Sequence, residues 1–143
     1  MACDFRVGMT YLNLASNFIH WPLKECHVHD LPHLRSLDHL VLAQKRLGDR
    51  FVAALVDELP RCPALAVLDL ENTYLSDADV QALPQVLPHC PRLARLILTG
   101  GFNRLSAPAM LMIQQVWADT RGPGNTGTEL PRVSGLSMNA VCG

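Results

Sequence analysis

Long apolar runs are missing from this chain: nowhere do roughly 18 consecutive apolar residues occur, the length that a membrane-spanning helix needs. A charge excess is missing too. The 12 Lys and Arg against 13 Asp and Glu leave a formal net charge of −1 over 143 residues, which removes the counterion-release argument for a nucleic-acid partner and the surface-charge argument for an anionic membrane. Paired cysteine spacing is also absent. The five cysteines, Cys3, Cys26, Cys62, Cys90 and Cys142, are odd in number and lack a CxxC pair, which speaks against a disulfide framework and against a four-thiolate zinc site. The opening Met1-Ala2-Cys3-Asp4-Phe5-Arg6 does not have the basic-then-apolar layout of a secretory leader. These absences predict a soluble chain of the cytoplasm or another intracellular reducing compartment, with no membrane partner. With 49% hydrophobic and 17% charged residues, the composition suits one globular domain and not a disordered tail.

What is present is a period. MTYLNLASNFI from Met9, LDHLVLAQKRL from Leu37, LAVLDLENTYL from Leu65 and LARLILTGGFNRL from Leu93 start 28 residues apart. Their first, fourth and sixth positions are apolar without exception: Met9, Leu12, Leu14; Leu37, Leu40, Leu42; Leu65, Leu68, Leu70; and Leu93, Leu96, Leu98. The far ends keep phase as well. Leu31-Pro32-His33-Leu34, Leu59-Pro60-Arg61-Cys62 and Leu87-Pro88-His89-Cys90 are again 28 apart, and agreement between two separate signals is far harder to reach by chance than a leucine count. A fixed period of this size is the signature of a repeat architecture.

Alternate residues of a strand take opposite faces, so LxxLxL predicts a short strand with Leu40 and Leu42, or Leu68 and Leu70, turned inward. Helical spacing follows in each unit: Val52, Leu55, Val56 and Leu59; Val80, Leu83 and Leu87; Met110, Ile113 and Trp117. Ser76 with Asp77, and Ser106 with Pro108, suit helix starts. The Leu-Pro and Cys-Pro pairs suit helix ends, and Pro84 should bend or shorten the helix that contains it. Strand followed by helix, repeated over short connections, gives an α/β fold with a parallel sheet. Strands spaced at about 4.8 Å beside helices that need roughly 8 to 10 Å force curvature, so the sheet takes the concave side and the helices the convex side.

These residues resemble leucine-rich repeats, in particular the ribonuclease-inhibitor-like class with its 28-residue unit LxxLxLxxNxL and a following helix. The resemblance covers residues 9 to 120 and implies a short solenoid. Residues 1 to 8 would form an N-terminal cap and residues 121 to 143, with their Gly122-Pro123-Gly124-Asn125 start, a flexible or partner-docked tail. The Asn of the pattern, whose side chain satisfies backbone groups in the turn, is Asn17 in the first unit but Lys45 and Thr73 in the next two. It returns as Asn103 only if two extra residues are allowed in Thr99-Gly100-Gly101-Phe102. The Cys-Pro-x-Leu endings also look like the shorter cysteine-containing repeats found beside F-box segments, a second-ranked resemblance. Either family implies protein binding without chemistry of its own.

The positions on the outward side of the strands are Tyr11, Asn13 and Ala15; His39, Val41 and Ala43; Val67, Asp69 and Glu71; and Arg95, Ile97 and Thr99. Val41, Val67 and Ile97 are apolar where a wetted face would be polar, so the expected protein-binding set is Tyr11, Asn13, His39, Val41, Val67, Asp69, Glu71, Arg95 and Ile97. The polar members are expected to orient a partner around the apolar ones, and Asp69 with Arg95 is an alternative cross-strand pair; β-propensity alone would also place Val and Ile there.

Other constellations are weaker. Cys26-His27-Val28-His29-Asp30-Leu31-Pro32-His33 carries metal-ligand residue types, but Pro32 interrupts any helix through His29 and His33, and the 28-residue period already accounts for His33, so no metal or cofactor is expected. Cys62 and Cys90 are expected in the core. Asp77 and Asp79 suit a helix start, and no nucleophile with its base can be assembled. The sequence therefore predicts a non-catalytic protein–protein interaction module, a scaffolding or structural subunit of a larger assembly. The alternative is a regulatory adaptor or inhibitor that captures one client on the concave face. A short array leaves apolar ends that neighbours must cover, which is why a complex is expected.

Overall fold

The computed structural model describes residues 8–15, 29, 31–44, 46–47, 49–122 and 127–129, the side chains of Asp49 and Glu129 excepted. The chain is α/β. Five short parallel strands, β1 (Tyr11–Asn13), β2 (His39–Val41), β3 (Val67–Asp69), β4 (Arg95–Ile97) and β5 (Thr128–Glu129), lie side by side in chain order. The α-helices are α1 (Asp49–Glu58), α2 (Asp77–Val80), α3 (Leu83–Val86) and α4 (Ala107–Arg121).

Register fixes everything else. Tyr11 pairs with His39, His39 with Val67 and Val67 with Arg95, so each of the first three strands sits against the residues 28 positions further on. The hydrogen bonds just beyond the strands keep the same offset. The Leu14, Leu42 and Leu70 amides donate to the Val41, Asp69 and Ile97 carbonyls at 2.8 to 2.9 Å. Two residues beyond Leu42, Leu70 and Leu98, the left-handed backbone conformation falls at Gln44, Asn72 and Gly100, with φ of 59°, 51° and 107°. At Gly100 no side chain is possible, because a Cβ there would collide with the side chain of Asn72. The three Leu-Pro segments each close a 3-10 turn, Leu31–His33, Leu59–Arg61 and Leu87–His89. In all three the residue after the turn donates back to its first carbonyl, at 2.9 to 3.1 Å.

The core is a single apolar cluster between one face of the sheet and the helices. Leu40, Leu68 and Leu96 from the strand centres, and Leu42, Leu70 and Leu98 just after them, meet Val52, Leu55 and Val56 of α1, Val80 and Leu83 of α2 and α3, and Met110, Ile113 and Trp117 of α4. Fully burying a Leu side chain is worth roughly 1.5–3 kcal/mol, so a row of them outweighs the poor intrinsic stability of three-residue strands. Pro84 does more than bend its helix. It has no N–H to donate, and the stretch is divided into α2 and α3 with Gln81 and Ala82 between them. Helix starts follow the sequence: the Ser106 hydroxyl accepts from the Ala109 amide at 3.3 Å, and Asp79 reaches back to the Ser76 amide at 2.7 Å.

Two features were not visible in the sequence. Gly127 and β5 extend the sheet past β4, with Leu96 opposite Thr128 and the Leu96 amide donating to the Gly127 carbonyl at 2.8 Å. Arg121, at the composition change, belongs to α4 as its last residue. Its guanidinium lies 3.9 Å over the Trp117 ring and donates to the Leu93 carbonyl at 2.7 Å and the Cys90 carbonyl at 2.6 Å. This charge-assisted clamp ties the end of α4 to the turn leading into β4.

The turns that follow β3 and β4 share one buried amide. Asn103, 4% exposed, donates to the carbonyls of Leu70 (2.8 Å), Leu98 (3.0 Å) and Thr99 (3.1 Å). Its oxygen accepts from the Thr73 and Leu75 amides at 2.9 and 3.1 Å. Thr73 stands in an Asn position without an amide; its hydroxyl donates to the Leu70 carbonyl at 2.8 Å, and Asn103 satisfies the amides that Thr73 cannot reach. Asn17 and Lys45, the other two residues of this series, lie outside the described residues. Unpaired buried polar groups cost about 1–3 kcal/mol each, so Asn103→Ala should lower unfolding free energy by at least ~3 kcal/mol in urea titration. Asn103→Asp should be no better, because it removes the donors and buries a charge.

Candidate functional site

The strands carry eight of the nine expected side chains at the positions flanking their central residues, and the ninth, Glu71, lies in the turn after β3. The strand burial pattern alternates as required: in β2 and β3 the central leucine is buried while His39, Val41, Val67 and Asp69 are half-buried. Tyr11, Asn13 and Arg95 are exposed, and Ile97 and Glu71 are half-buried. Ala43, also expected on this face, is instead buried in the core, because the chain has already entered the turn at that point.

Register arranges these residues in two rows. Tyr11, His39, Val67 and Arg95 form one, and Asn13, Val41, Asp69 and Ile97 the other. The apolar residues therefore zigzag, with Val67 diagonal to Val41 and to Ile97, and Asp69 lies between the latter two instead of at a rim. Arg95 has Val67 opposite it, whereas Asp69 has Ile97. The Asp69 carboxylate accepts from the Glu71 amide at 2.9 Å, as the Asn13 amide oxygen accepts from the Ala15 amide at 2.8 Å. Both side chains thereby shape the turn that follows their strand. At the opposite end the Tyr11 and His39 rings are 5.8 Å apart at 39°, and the His39 Nδ1 lies 2.7 Å from an Asp38 carboxylate oxygen. The result is a shallow surface with an aromatic end at Tyr11 and His39, a cationic end at Arg95 and an apolar diagonal between them.

The other candidates resolve into structural roles. His29 is 2.9 Å from Glu58, whose second oxygen is 3.7 Å from Arg61. Cys26, His27, Val28 and Asp30 lie outside the described residues, and among the described residues no group of three or more His, Cys, Asp or Glu gathers in a way that would hold a metal. Asp77 accepts from the Ser106 amide at 2.7 Å, and the hydrogen bonds from the Ser106 side chain and backbone hold its carboxyl below the usual range. It therefore links the start of α2 to the residue that caps α4. Cys90 is buried and Cys62 half-buried, and both thiols are free. Each donates at 3.4 Å to a carbonyl one helical turn back, Cys62 to Glu58 and Cys90 to Val86. Burial, then the Glu58 charge, then Cys90 push the Cys62 thiol up to about 11, which suppresses the nucleophilic thiolate.

Residues that the sequence reading did not single out cluster at the turns after the strands: Arg46, Tyr74 and Phe102, again 28 apart in sequence. The same period that found the leucines would have found them.

No protein-family model matches the chain, and no curated protein matches it. No helix among the described residues is long and apolar enough to cross a membrane.

The raised Cys62 thiol generates a direct expectation. In an iodoacetamide pulse at pH 8 read by residue-resolved mass spectrometry, native Cys62 should alkylate about a hundredfold more slowly than an unfolded-chain cysteine. Its rate should climb about tenfold per pH unit between pH 8 and 10. A fast, pH-independent reaction would mean that the thiol is not held as described.

Proposed function

We propose that this chain is a non-catalytic protein–protein interaction module, a short leucine-rich-repeat solenoid that serves as a structural subunit of a larger assembly. The observation that carries the reading is the open strand face: an apolar diagonal of Val41, Val67 and Ile97 set among Tyr11, His39, Asp69 and Arg95, on the side of the sheet that the helices leave uncovered. The recurrence of strand pairing, turn conformation and 3-10 closure at 28-residue offsets supports the leucine-rich-repeat reading, and the curvature expected from strand and helix spacing makes this face the concave one. Half-buried Val and Ile on a solvent-facing sheet contribute little to the protein's own core; covered by a partner, they would gain roughly 25 cal/mol per Å² of apolar surface removed from water. Tyr and Arg at the two ends are the residue types that anchor such interfaces. The reading needs no bound cofactor, metal or small-molecule substrate. Its partner is another protein.

The experiment is affinity capture from the native source with photo-cross-linking residues placed at Tyr11, His39 and Arg95. Val41→Asp with Ile97→Asp should reduce capture of the cross-linked partner by at least about tenfold, since each buries a charge in the interface, while circular dichroism and urea midpoint stay near wild type. Undiminished capture by a folded double variant, with cross-links from elsewhere on the chain, would reject this face as the docking surface.

A further inference from the structure

A second surface lies at the turns that follow the strands. Two large rings stand in solvent there: Tyr74 is 48% and Phe102 54% exposed, stacked at 4.8 Å and 12°. The Arg46 guanidinium continues the column, 5.7 Å from the centre of the Tyr74 ring. The arrangement is held at a cost. Tyr74 has φ of 64°, a left-handed conformation unusual for a bulky residue, and such strain gathers at binding sites. The two extra residues of the fourth unit bring Phe102 into the stack, and its amide donates to Asn72 at 3.3 Å.

Beside the stack is an open groove of about 610 Å³, in which, among the described residues, Arg46 and Arg104 are the charged members of the lining and buried Leu47 and Leu75 contribute apolar wall. Asp77 and Asp79, which follow the groove residue Ser76 in sequence, are occupied by Ser106 and Ser76. Among the described residues no side chain makes a hydrogen bond or ion pair with the guanidinium of Arg104. A groove whose described lining has two cations, no carboxylate and a flat aromatic wall is complementary to a ligand that carries carboxylates and a ring together.

We propose that this groove binds an acidic, aromatic-containing peptide segment of a partner protein, its carboxylates on Arg46 and Arg104 and a ring against the Tyr74–Phe102 stack. The site is separate from the strand face and does not depend on it. An anionic strand of nucleic acid offers charge and rings too, but the chain's net charge of −1 supplies no wider basic track for it.

The test is fluorescence anisotropy with a labelled peptide of alternating glutamate and phenylalanine, against its glutamine–phenylalanine and lysine–phenylalanine analogues and labelled oligothymidylate. The glutamate peptide should bind at least about tenfold more tightly than the glutamine one, and Tyr74→Ala with Phe102→Ala should weaken it about tenfold. Arg46→Glu with Arg104→Glu should abolish glutamate-peptide binding and gain the lysine peptide, an inversion that misfolding cannot produce. Val41→Asp with Ile97→Asp should leave the glutamate peptide's affinity unchanged, which separates this site from the proposed docking face. Equal binding of the glutamate and glutamine peptides, no inversion by the charge-reversed chain, or binding of oligothymidylate in preference to the peptide would each overturn the proposal.

Discussion

Parallel pairing is the constraint on which the rest depends. Neighbouring parallel strands cannot be joined by a hairpin; the chain must travel back to the starting edge before pairing again. Here the return takes 28 residues between consecutive strands from β1 to β4. Once that offset is set, a side chain at one position meets its counterpart in the next strand. The leucines become a continuous core, the left-handed residues a continuous row of turns, and the outward residues a surface whose pattern is dictated by the unit. The last link is the exception: β5 pairs with residues 32 positions earlier and with two residue pairs instead of three, and it covers hydrogen-bonding groups that β4 would otherwise leave at an edge.

How much of this can be read from the sequence depends on whether a feature shares the period. The strands, the 3-10 turns at Leu31, Leu59 and Leu87 and the inward helix residues Val52, Leu55, Val80 and Leu83 do share it, whereas the helix start at Ser106 and the inward residues Met110, Ile113 and Trp117 fall 30 positions after Ser76, Val80, Leu83 and Leu87 and are found by their own capping and helical spacing. β5 does not share the period; Thr128 and Glu129 carry no leucine triplet and belong to a glycine-rich stretch that propensity alone would leave unstructured. The division of one helix into α2 and α3 was foreseeable in kind from Pro84, but not in extent, because the number of turns lost depends on how the flanking carbonyls are re-satisfied.

The open face was legible as a set of positions and less so as a surface. Alternation in a strand identifies Tyr11, His39, Val41, Val67, Arg95 and Ile97 as outward. Whether Asp69 acts as a rim contact, an ion-pair partner or a turn former is decided by hydrogen bonds that depend on distances of a few tenths of an ångström, and the Glu71 amide claims it. Arg121 teaches the same lesson at the other end of the unit. Its position at a change of composition suggests a tail, whereas its hydrogen bonds to the Leu93 and Cys90 carbonyls make it a clamp.

The hydrogen-bond offset has a mechanical corollary. Because consecutive strands from β1 to β4 are joined to their neighbours at one fixed offset, tension drawn on the two ends should part the sheet strand by strand, each rupture releasing about 100 Å of slack at roughly 3.5 Å per residue. The two-pair contact of β5 is the thinnest seam in the ribbon, and the amide of Asn103 and the guanidinium of Arg121 stand as the rivets behind it.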